Sequence, residues 1–314
     1  MQTVSGIENY CDPGRPVYLA LGNFDGVHQG HQSLITALVN KAHDNGGAAV
    51  AFIFEPHPAQ VLNPERAPRL LNTAARKASL LANMGLDILI YHPFSRDVAA
   101  WTPLEFVERI LIQCLQVREV FVGFNYTFGH RGLGTPDTMQ EIGSTLGFGV
   151  NIIPPVEFKG EPISSSLVRK ALEEGDIDTA HSLLGYYPIV DGVVVEGEHR
   201  GKQLGFPTAN IGVEGLFHVP AKGVYAARAR VGERQYHSVV NIGSKPTFHE
   251  EYPISIEAHL MDFDGDIYGQ AISLSFLAKL RDEKRFESLQ DLVSQIGRDR
   301  DQALEISQSH AADL

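Results

Sequence analysis

Positive charge is what this 314-residue chain is short of: 26 lysines and arginines stand against 38 aspartates and glutamates, a formal net charge of −12. Nonspecific grip on nucleic acid comes from many lysine and arginine contacts to phosphate, so this balance argues against a general nucleic-acid binder. A small phosphorylated substrate asks for less: a local cluster of N–H groups, a few cations and a metal ion. Cysteine is scarce too. Cys11 and Cys114 are too few and too far apart for a disulfide framework, which fits a reducing cytoplasm. No apolar run approaches a membrane span. Met1 to Pro13 lacks both the basic region and the apolar core of a signal peptide, so the expectation is a cytoplasmic protein with no membrane and no nucleic-acid partner. Low-complexity tracts and internal repeats are missing as well, and the sequence leaves a homo-oligomer open.

What is present is an ordinary globular composition, 43% hydrophobic, long enough for two domains with separate cores. The organising stretch is Leu19 to His31. Val17 to Leu21 is a short apolar run of buried-strand length, Gly22 and Gly26 bracket a turn, and Leu34, Ile35, Leu38 and Val39 then recur at helical spacing. His28 and His31 fall at i and i+3 on the first helical turn, where unpaired N–H groups and the positive helix end favour a phosphate, and Gly30 leaves room for it. Two imidazoles there suit nucleotidyl transfer, which is mostly positioning and charge stabilisation and needs no side-chain nucleophile. For one such histidine alone, a polar cap is the preferred reading. Metal ligation by the pair is the weaker alternative, since the cysteines form no spaced ligand pair and no third ligand follows.

Ala48 to Phe54 reads as a second buried strand ended by Glu55-Pro56-His57-Pro58, and a helix over Arg76 to Met84 leads to a strand over Asp87 to Tyr91. A helix around Pro103 to Cys114 then leads into Val120 to Gly123. This alternation predicts an α/β, doubly wound parallel sheet with ligands at the carboxyl ends of its strands. Gly123 to Gly132, with Asn125, Tyr126 and Phe128, follows another strand end and is either a packed aromatic loop or a second wall of the same crevice. Ser164, Ser165 and Ser166 precede Arg169 by about one helical turn, which makes either an anion clamp or a serine-capped helix packing Leu167, Val168, Ala171 and Leu172.

Past a short helix over Ile177 to Leu184 the period changes. Val190 to Val195, Gly223 to Val231, Tyr236 to Ile242, Ser255 to Leu260 and Ala271 to Phe276 are β-rich, with hairpin signals at Gly232-Glu233 and Asp264-Gly265-Asp266. Strand following strand predicts an antiparallel barrel or sandwich, closed by a C-terminal helix from Phe286 whose stripe is Leu289, Leu292, Val293 and Ile296. The expected domains are 1–185 and 186–314. Within the second, Gly197 to Asn210 opens as a glycine-rich loop carrying Arg200, Gly201, Lys202 and Gly205. Pro207 excludes a regular central ladder, and Thr208 and Asn210 at i and i+2 point the same way, two oxygens suited to Mg²⁺. In Ser255 to Leu260 the apolar residues share one face, leaving Glu257 and His259 on the other; Glu257 is either a solvated carboxylate or a general base.

Gly22-Asn23-Phe24-Asp25-Gly26-Val27-His28-Gln29-Gly30-His31 resembles the signature of the HxGH nucleotidyltransferases, and in its FDGVH wording the bifunctional bacterial riboflavin kinase/FAD synthetases. The second half resembles their kinase module at Pro207-Thr208-Ala209-Asn210, Gly223-Val224-Tyr225, Asn241 to Phe248 and Ile256 to Phe263, so that the likeness runs from about Val17 to Ala303. It implies a Rossmann-like FMN adenylyltransferase domain and an antiparallel β-barrel riboflavin kinase domain, with riboflavin, FMN and ATP as small-molecule substrates, FAD as product and Mg²⁺ as cofactor. It assigns chemistry to His28, His31, Arg169 and Glu257, nucleotide or phosphate contacts to Gly22, Phe24, Asp25, Gly30, Asn125, Ser164, Ser165, Ser166, Gly201, Lys202, Gly205 and Pro207, and Mg²⁺ to Thr208 and Asn210. Asn125 stands where many members have aspartate, Ser166 where threonine is usual, and Lys202 where arginine is frequent. A nucleotidyltransferase of another substrate class fused to a β domain has no need of the PTAN and IEAHL segments. A flavin carrier has no need of the catalytic set.

Overall fold

The computed structural model describes residues 1–197, 205–213, 217–244 and 254–310. Its contacts divide into two compact units, Met1–Arg69 with Ala74–Ser164, and Leu70–Thr73 with Ser165–Leu314.

In the first unit six strands pair in parallel: β1 (Gln2–Ser5), β2 (Val17–Leu21), β3 (Ala48–Phe54), β4 (Ile88–His92), β5 (Val117–Gly123) and β6 (Gly149–Ile153), in the order β1-β4-β3-β2-β5-β6. Its helices are α1 (Gln29–Asp44), α2 (Pro58–Leu62), α3 (Ala74–Asn83), α4 (Arg96–Ala99), α5 (Pro103–Phe106), continued by a π-helical stretch over Val107–Cys114, and α6 (Pro136–Leu146). Alternate residues of β2 serve opposite cores. Leu19 and Leu21 join Val50, Phe52, Val107, Leu111 and Met139; Tyr18 and Ala20 join Leu34, Ile35, Leu38, Leu81 and Leu89. A parallel sheet covered on both faces needs such uninterrupted apolar strands, which is why β2 and β3 carry no alternation in their sequence. The chain leaves β2 toward β3 and returns on the other side as β5, so the order reverses between β2 and β5. Ligands of open α/β sheets bind at the carboxyl ends of strands at such a reversal. A two-residue hairpin, β7 (Glu157–Phe158) and β8 (Glu161–Pro162), follows the sheet.

The second unit begins with α7 (Ser165–Glu174) and α8 (Ile177–Leu184), the latter ended by Gly185 in the left-handed conformation. Six antiparallel strands close into a barrel, β9 (Ile189–Val195), β10 (Ala209–Gly212), β11 (Gly223–Val231), β12 (Arg234–Ser244), β13 (Ile254–Leu260) and β14 (Ala271–Arg281), in the order β10-β13-β12-β11-β14-β9. The hairpin expected at Gly232-Glu233 joins β11 and β12. Tyr225, Val240, Ile242, Ile256, Ala258 and Phe276 are buried, and the Tyr225 ring meets Phe276 edge-on at 5.4 Å. From the first half of the sequence, Leu70 bridges Phe217 and accepts a 2.8 Å hydrogen bond from His218 N–H.

The face of the C-terminal helix α9 (Leu289–Ser309) that carries Leu292, Val293 and Ile296, all half-buried, continues at helical spacing into Asp299, Ala303 and Ser307. Leu289 is exposed, whereas Asp299, Ala303 and Ser307 are buried, four residues apart. Polar residues occupy that stripe because each has a partner. Arg281 grips the Asp299 carboxylate through Nε at 3.0 and 3.1 Å and a terminal nitrogen at 2.8 Å. Arg228 donates to Ser307 Oγ and carbonyl, and His237 Nδ1 lies 2.6 Å from the same hydroxyl. Burial of paired charge costs far less than burial of bare charge.

Candidate active sites

The turn from β2 into α1 lies at the sheet's point of reversal. Phe24, Gly26 and Val27 all have positive φ, an uncommon run for non-glycine residues, and the turn delivers His28 as the N-cap of α1. His28 Nδ1 accepts the His31 N–H at 3.4 Å. The cap reading and the donor reading are therefore compatible: with Nδ1 accepting, a neutral imidazole carries its proton on Nε2. The two rings stack with centroids 3.6 Å apart. Gly30 is what permits this, since a Cβ there would lie 3.2 Å from His28 Cε1. Phe24 is buried and meets His31 edge-on at 5.3 Å, so it supports the pair from beneath.

Burial pushes the His28 pKa down to about 4 against a backbone hydrogen bond that raises it. His31 is held well below the ordinary histidine value by burial, then by the charges of His28 and Lys77. Both imidazoles are thus neutral at pH 7. His31 Nδ1 is buried and has no hydrogen-bond partner among the described residues, an arrangement that costs stability unless something else meets it. Asp25 is buried as well, and with Glu55 it is one of the carboxylates whose charge acts on Lys77.

Gly22 and Asn23 form part of the lining of a cleft of about 560 Å³, walled by Phe52, Phe54, Phe94, Phe106, Tyr126 and Phe128, with Arg96, His130 and Arg131 also contributing. Phe54 meets Phe94 edge-on at 5.0 Å, and Tyr126 stacks on Phe128 at 5.8 Å. Asn125 is exposed in the turn after β5, one residue before this wall. Ser164 closes the first unit, while Ser165, Ser166 and Arg169 open α7 of the second.

In the barrel, Pro207 and Thr208 lead into β10, and the register sets Asn210 directly opposite Glu257 of β13. Asn241 of β12 faces Glu257 from the other side. Directly paired residues share one face of a sheet, so Asn210, Glu257 and Asn241 form a row on the outer wall. Ser255 Oγ donates to Glu257 Oε1 at 3.3 Å. His259 Nδ1 lies 2.8 Å from the Pro207 carbonyl and its ring meets Phe206 edge-on, which ties the Pro207–Asn210 segment to β13. A Cβ at Gly197 would collide with the Asn210 amide, so glycine there leaves a cradle for that side chain. Thr208 and Asn210 supply neutral oxygens of the kind Mg²⁺ takes alongside substrate phosphates. Gly205 is exposed in the turn before Pro207 with positive φ, and Gly201 and Lys202 lie outside the described residues.

Sequence reasoning missed Lys77, the place of Asn241 beside Glu257 and, apart from the Gly123–Gly132 loop, the walls of the aromatic cleft. Lys77 had a signal: it sits four residues before Leu81, on the apolar stripe of α3.

A parallel sheet presenting paired histidines at its reversal, followed by a six-stranded antiparallel barrel, is a nucleotidyltransferase-like unit joined to a β-barrel unit. The family models agree: FAD synthetase matches residues 12–167 and riboflavin kinase matches residues 184–307. The chain belongs to the bifunctional riboflavin kinase/FMN adenylyltransferase family. It is 36% identical to the Bacillus subtilis enzyme of that name over 91% of each chain, and 37% identical to the Pseudomonas fluorescens one over 95% of this chain and 96% of that one. A crystal structure from Streptococcus pneumoniae, described as a macrolide-efflux protein, superposes with a TM-score of 0.87 at 29% identity, covering 96% of this chain and 98% of that one. Among the described residues no helix is long and apolar enough to cross a membrane. The enzyme phosphorylates riboflavin to FMN with ATP and adenylylates FMN to FAD, releasing pyrophosphate.

Proposed function

We propose that adenylyl transfer takes place at the His28–His31 pair and riboflavin phosphorylation at Glu257, with the labour divided between residues 1–185 and 186–314. The observation that carries the first assignment is the buried, unpartnered Nδ1 of His31 beside an aromatic cleft that begins at Gly22 and Asn23. A planar, largely apolar isoalloxazine ring suits that cleft, and its phosphate end then points to the turn and the positive end of α1. An FMN phosphate oxygen attacks the α-phosphorus of ATP, the bond to the β-phosphate oxygen breaks, and pyrophosphate leaves. His28 Nε2–H and His31 donate to the α-phosphate oxygens as charge builds on them. Preorganised neutral donors in a dry site stabilise such charge without reorganising. Ser164, Ser165, Ser166 and Arg169 are assigned to the ATP phosphates, and Gly22, Phe24, Asp25, Gly30 and Asn125 to shaping or contacting the nucleotide site.

In the barrel Glu257 takes the proton of the riboflavin 5′-hydroxyl as that oxygen attacks the γ-phosphorus and ADP leaves. Thr208 and Asn210 would hold Mg²⁺, which neutralises phosphate charge when bound. Gly201, Lys202, Gly205 and Pro207 are assigned to the loop that embraces the ATP phosphates. A cytoplasmic setting without membrane or nucleic-acid partners fits the acidic charge and two exposed free thiols. The cleft assignment is tested by Phe54→Ala, which should raise KM for FMN about tenfold in FAD synthesis through lost ring contact and leave riboflavin phosphorylation alone. An unchanged KM for FMN would move the flavin elsewhere.

A further inference from the structure

Lys77 is a lysine where lysine is expensive. It lies on α3, is 4% exposed, and its ammonium donates a 2.7 Å hydrogen bond to the carbonyl of Asn23. Fully buried lysines are rare without a partner of opposite charge or a task. Here burial works against the charge, while Asp25 in the turn and Glu55 after β3 sustain it. Its hydrogen bond falls on the first peptide of a segment in which Phe24, Gly26 and Val27 all have positive φ. Backbone held in sparsely populated regions persists only where its surroundings fix it. His31, one turn into α1, feels the same ammonium.

We propose that Lys77 is a positioning residue for adenylyl transfer: its buried ammonium fixes the Asn23 carbonyl, and with it the left-handed turn that delivers His28, and it keeps a fixed positive charge beside His31. The proposal rests on placing the chemistry at the histidine pair. The charges acting on His31 are those of Lys77 from α3 and of the His28 imidazole, and Lys77 in turn feels Asp25 from the turn and Glu55 from the end of β3. A cation beside His31 opposes its protonation. The imidazole therefore stays a neutral donor further into acid pH, while the positive field facing the phosphates comes from the lysine. Two stacked imidazoles titrate as a coupled pair, so the acid limb of FAD synthesis reports the pair as a whole.

Removing the cation in Lys77→Met relieves the opposition, so the histidine pair protonates at higher pH and the acid limb of kcat for FAD formation moves up by about one pH unit. The rate at the optimum falls at least about tenfold as the turn loosens, with KM for FMN and ATP little changed. Lys77→Arg retains the charge and leaves the limb where it is in the wild type. The His31 imidazole, followed by NMR in the full-length protein without substrates, titrates upward in Lys77→Met and unchanged in Lys77→Arg. Riboflavin phosphorylation in the same preparations monitors the other site. Wild-type positions for both the limb and the His31 titration in Lys77→Met overturn the proposal, whatever happens to kcat, because a purely structural lysine would alter rate without moving either. Should Lys77→Met fail to fold, Lys77→Arg decides: a limb at the wild-type position supports the charge, and one raised by about a unit contradicts it. Failure of the histidine assignment reads differently, as full FAD synthesis in His28→Ala and His31→Ala.

Discussion

Gly30→Ala separates stability from catalysis at one atom. The added methyl carbon would lie 3.2 Å from His28 Cε1, 3.3 Å from its Nδ1 and 3.7 Å from the Ile163 carbonyl. Contacts of 3.2 Å are tighter than a carbon comfortably makes, so the imidazole must give way by a few tenths of an ångström. It has little freedom to do so, being 5% exposed, stacked on His31 at 3.6 Å and bonded to the His31 N–H. The backbone raises no objection, because Gly30 lies within α1 and outside the positive-φ glycines. Alanine in place of glycine favours a helix by up to about 0.5–1 kcal/mol. The unfolding midpoint should therefore hold or rise slightly, while the donors move off the position where the α-phosphate oxygens are to be met. Misplacement on the scale of an ångström costs roughly a hundredfold in rate, and a few tenths should cost about tenfold. Thermal unfolding, together with steady-state FAD formation from supplied FMN, measures both terms, with FMN formation from riboflavin as the internal control. A stable Gly30→Ala enzyme that makes FAD at the wild-type rate would show that the stacked geometry is not required.

Two further outcomes follow from the same structure. His28 has a folded-state pKa near 4 and an unfolded value near 6.5, so between those pH values the unfolded chain binds a proton that the folded one does not. Stability from this group is full above about pH 6.5, falls as pH drops toward 4 and levels off below it, a loss on the order of 3 kcal/mol that His28→Ala should largely abolish in urea titrations from pH 7 to 4; an unchanged pH profile would contradict the buried neutral imidazole. A barrel fragment begun at Ser165 should be more stable by several kcal/mol than one begun at Tyr186, because the shorter fragment loses Ala180, Leu183 and Leu184 of α8, all buried, and the His181 ring stacked on Tyr187. Equal urea midpoints would mean that α8 contributes nothing to that unit.

The sequence made much of this fold legible where one local period dominates. Val17 to Leu21 reads as a buried strand because every residue is apolar, α1 follows from Leu34, Ile35, Leu38 and Val39, and the barrel strands β11 to β13 are set off by glycine turns and β-branched runs. The edge strands β1 and β6 were not legible: Gln2–Ser5 is polar, and the residues of Gly149–Ile153 are no more than half-buried. The polar continuation of the packed face of α9 escaped for a related reason. Asp299 and Ser307 read as solvent-facing in sequence and are inside only because Arg281, Arg228 and His237 meet them from other strands. The aromatic cleft draws on β3, α5 and the loop after β5, segments each of which reads as ordinary core when taken alone. The turns to which the chemistry is assigned by proposal stood out more readily, since histidines beside glycines at a strand end, or Thr208 and Asn210 beside proline, break the pattern around them.

The division of chemistry between two sites is tested most directly by measuring both half-reactions, in single turnover, in His31→Ala and Glu257→Gln. With riboflavin and saturating ATP and Mg²⁺, His31→Ala should form FMN at the wild-type rate, while with FMN supplied its FAD formation should fall about a hundredfold or more. Glu257→Gln should do the reverse, losing roughly 10²- to 10⁴-fold in phosphoryl transfer and adenylylating supplied FMN normally. A Glu257→Gln enzyme that phosphorylates riboflavin at the wild-type rate, or a His31→Ala enzyme that makes FAD at the wild-type rate, would contradict the assignment of that reaction to that site.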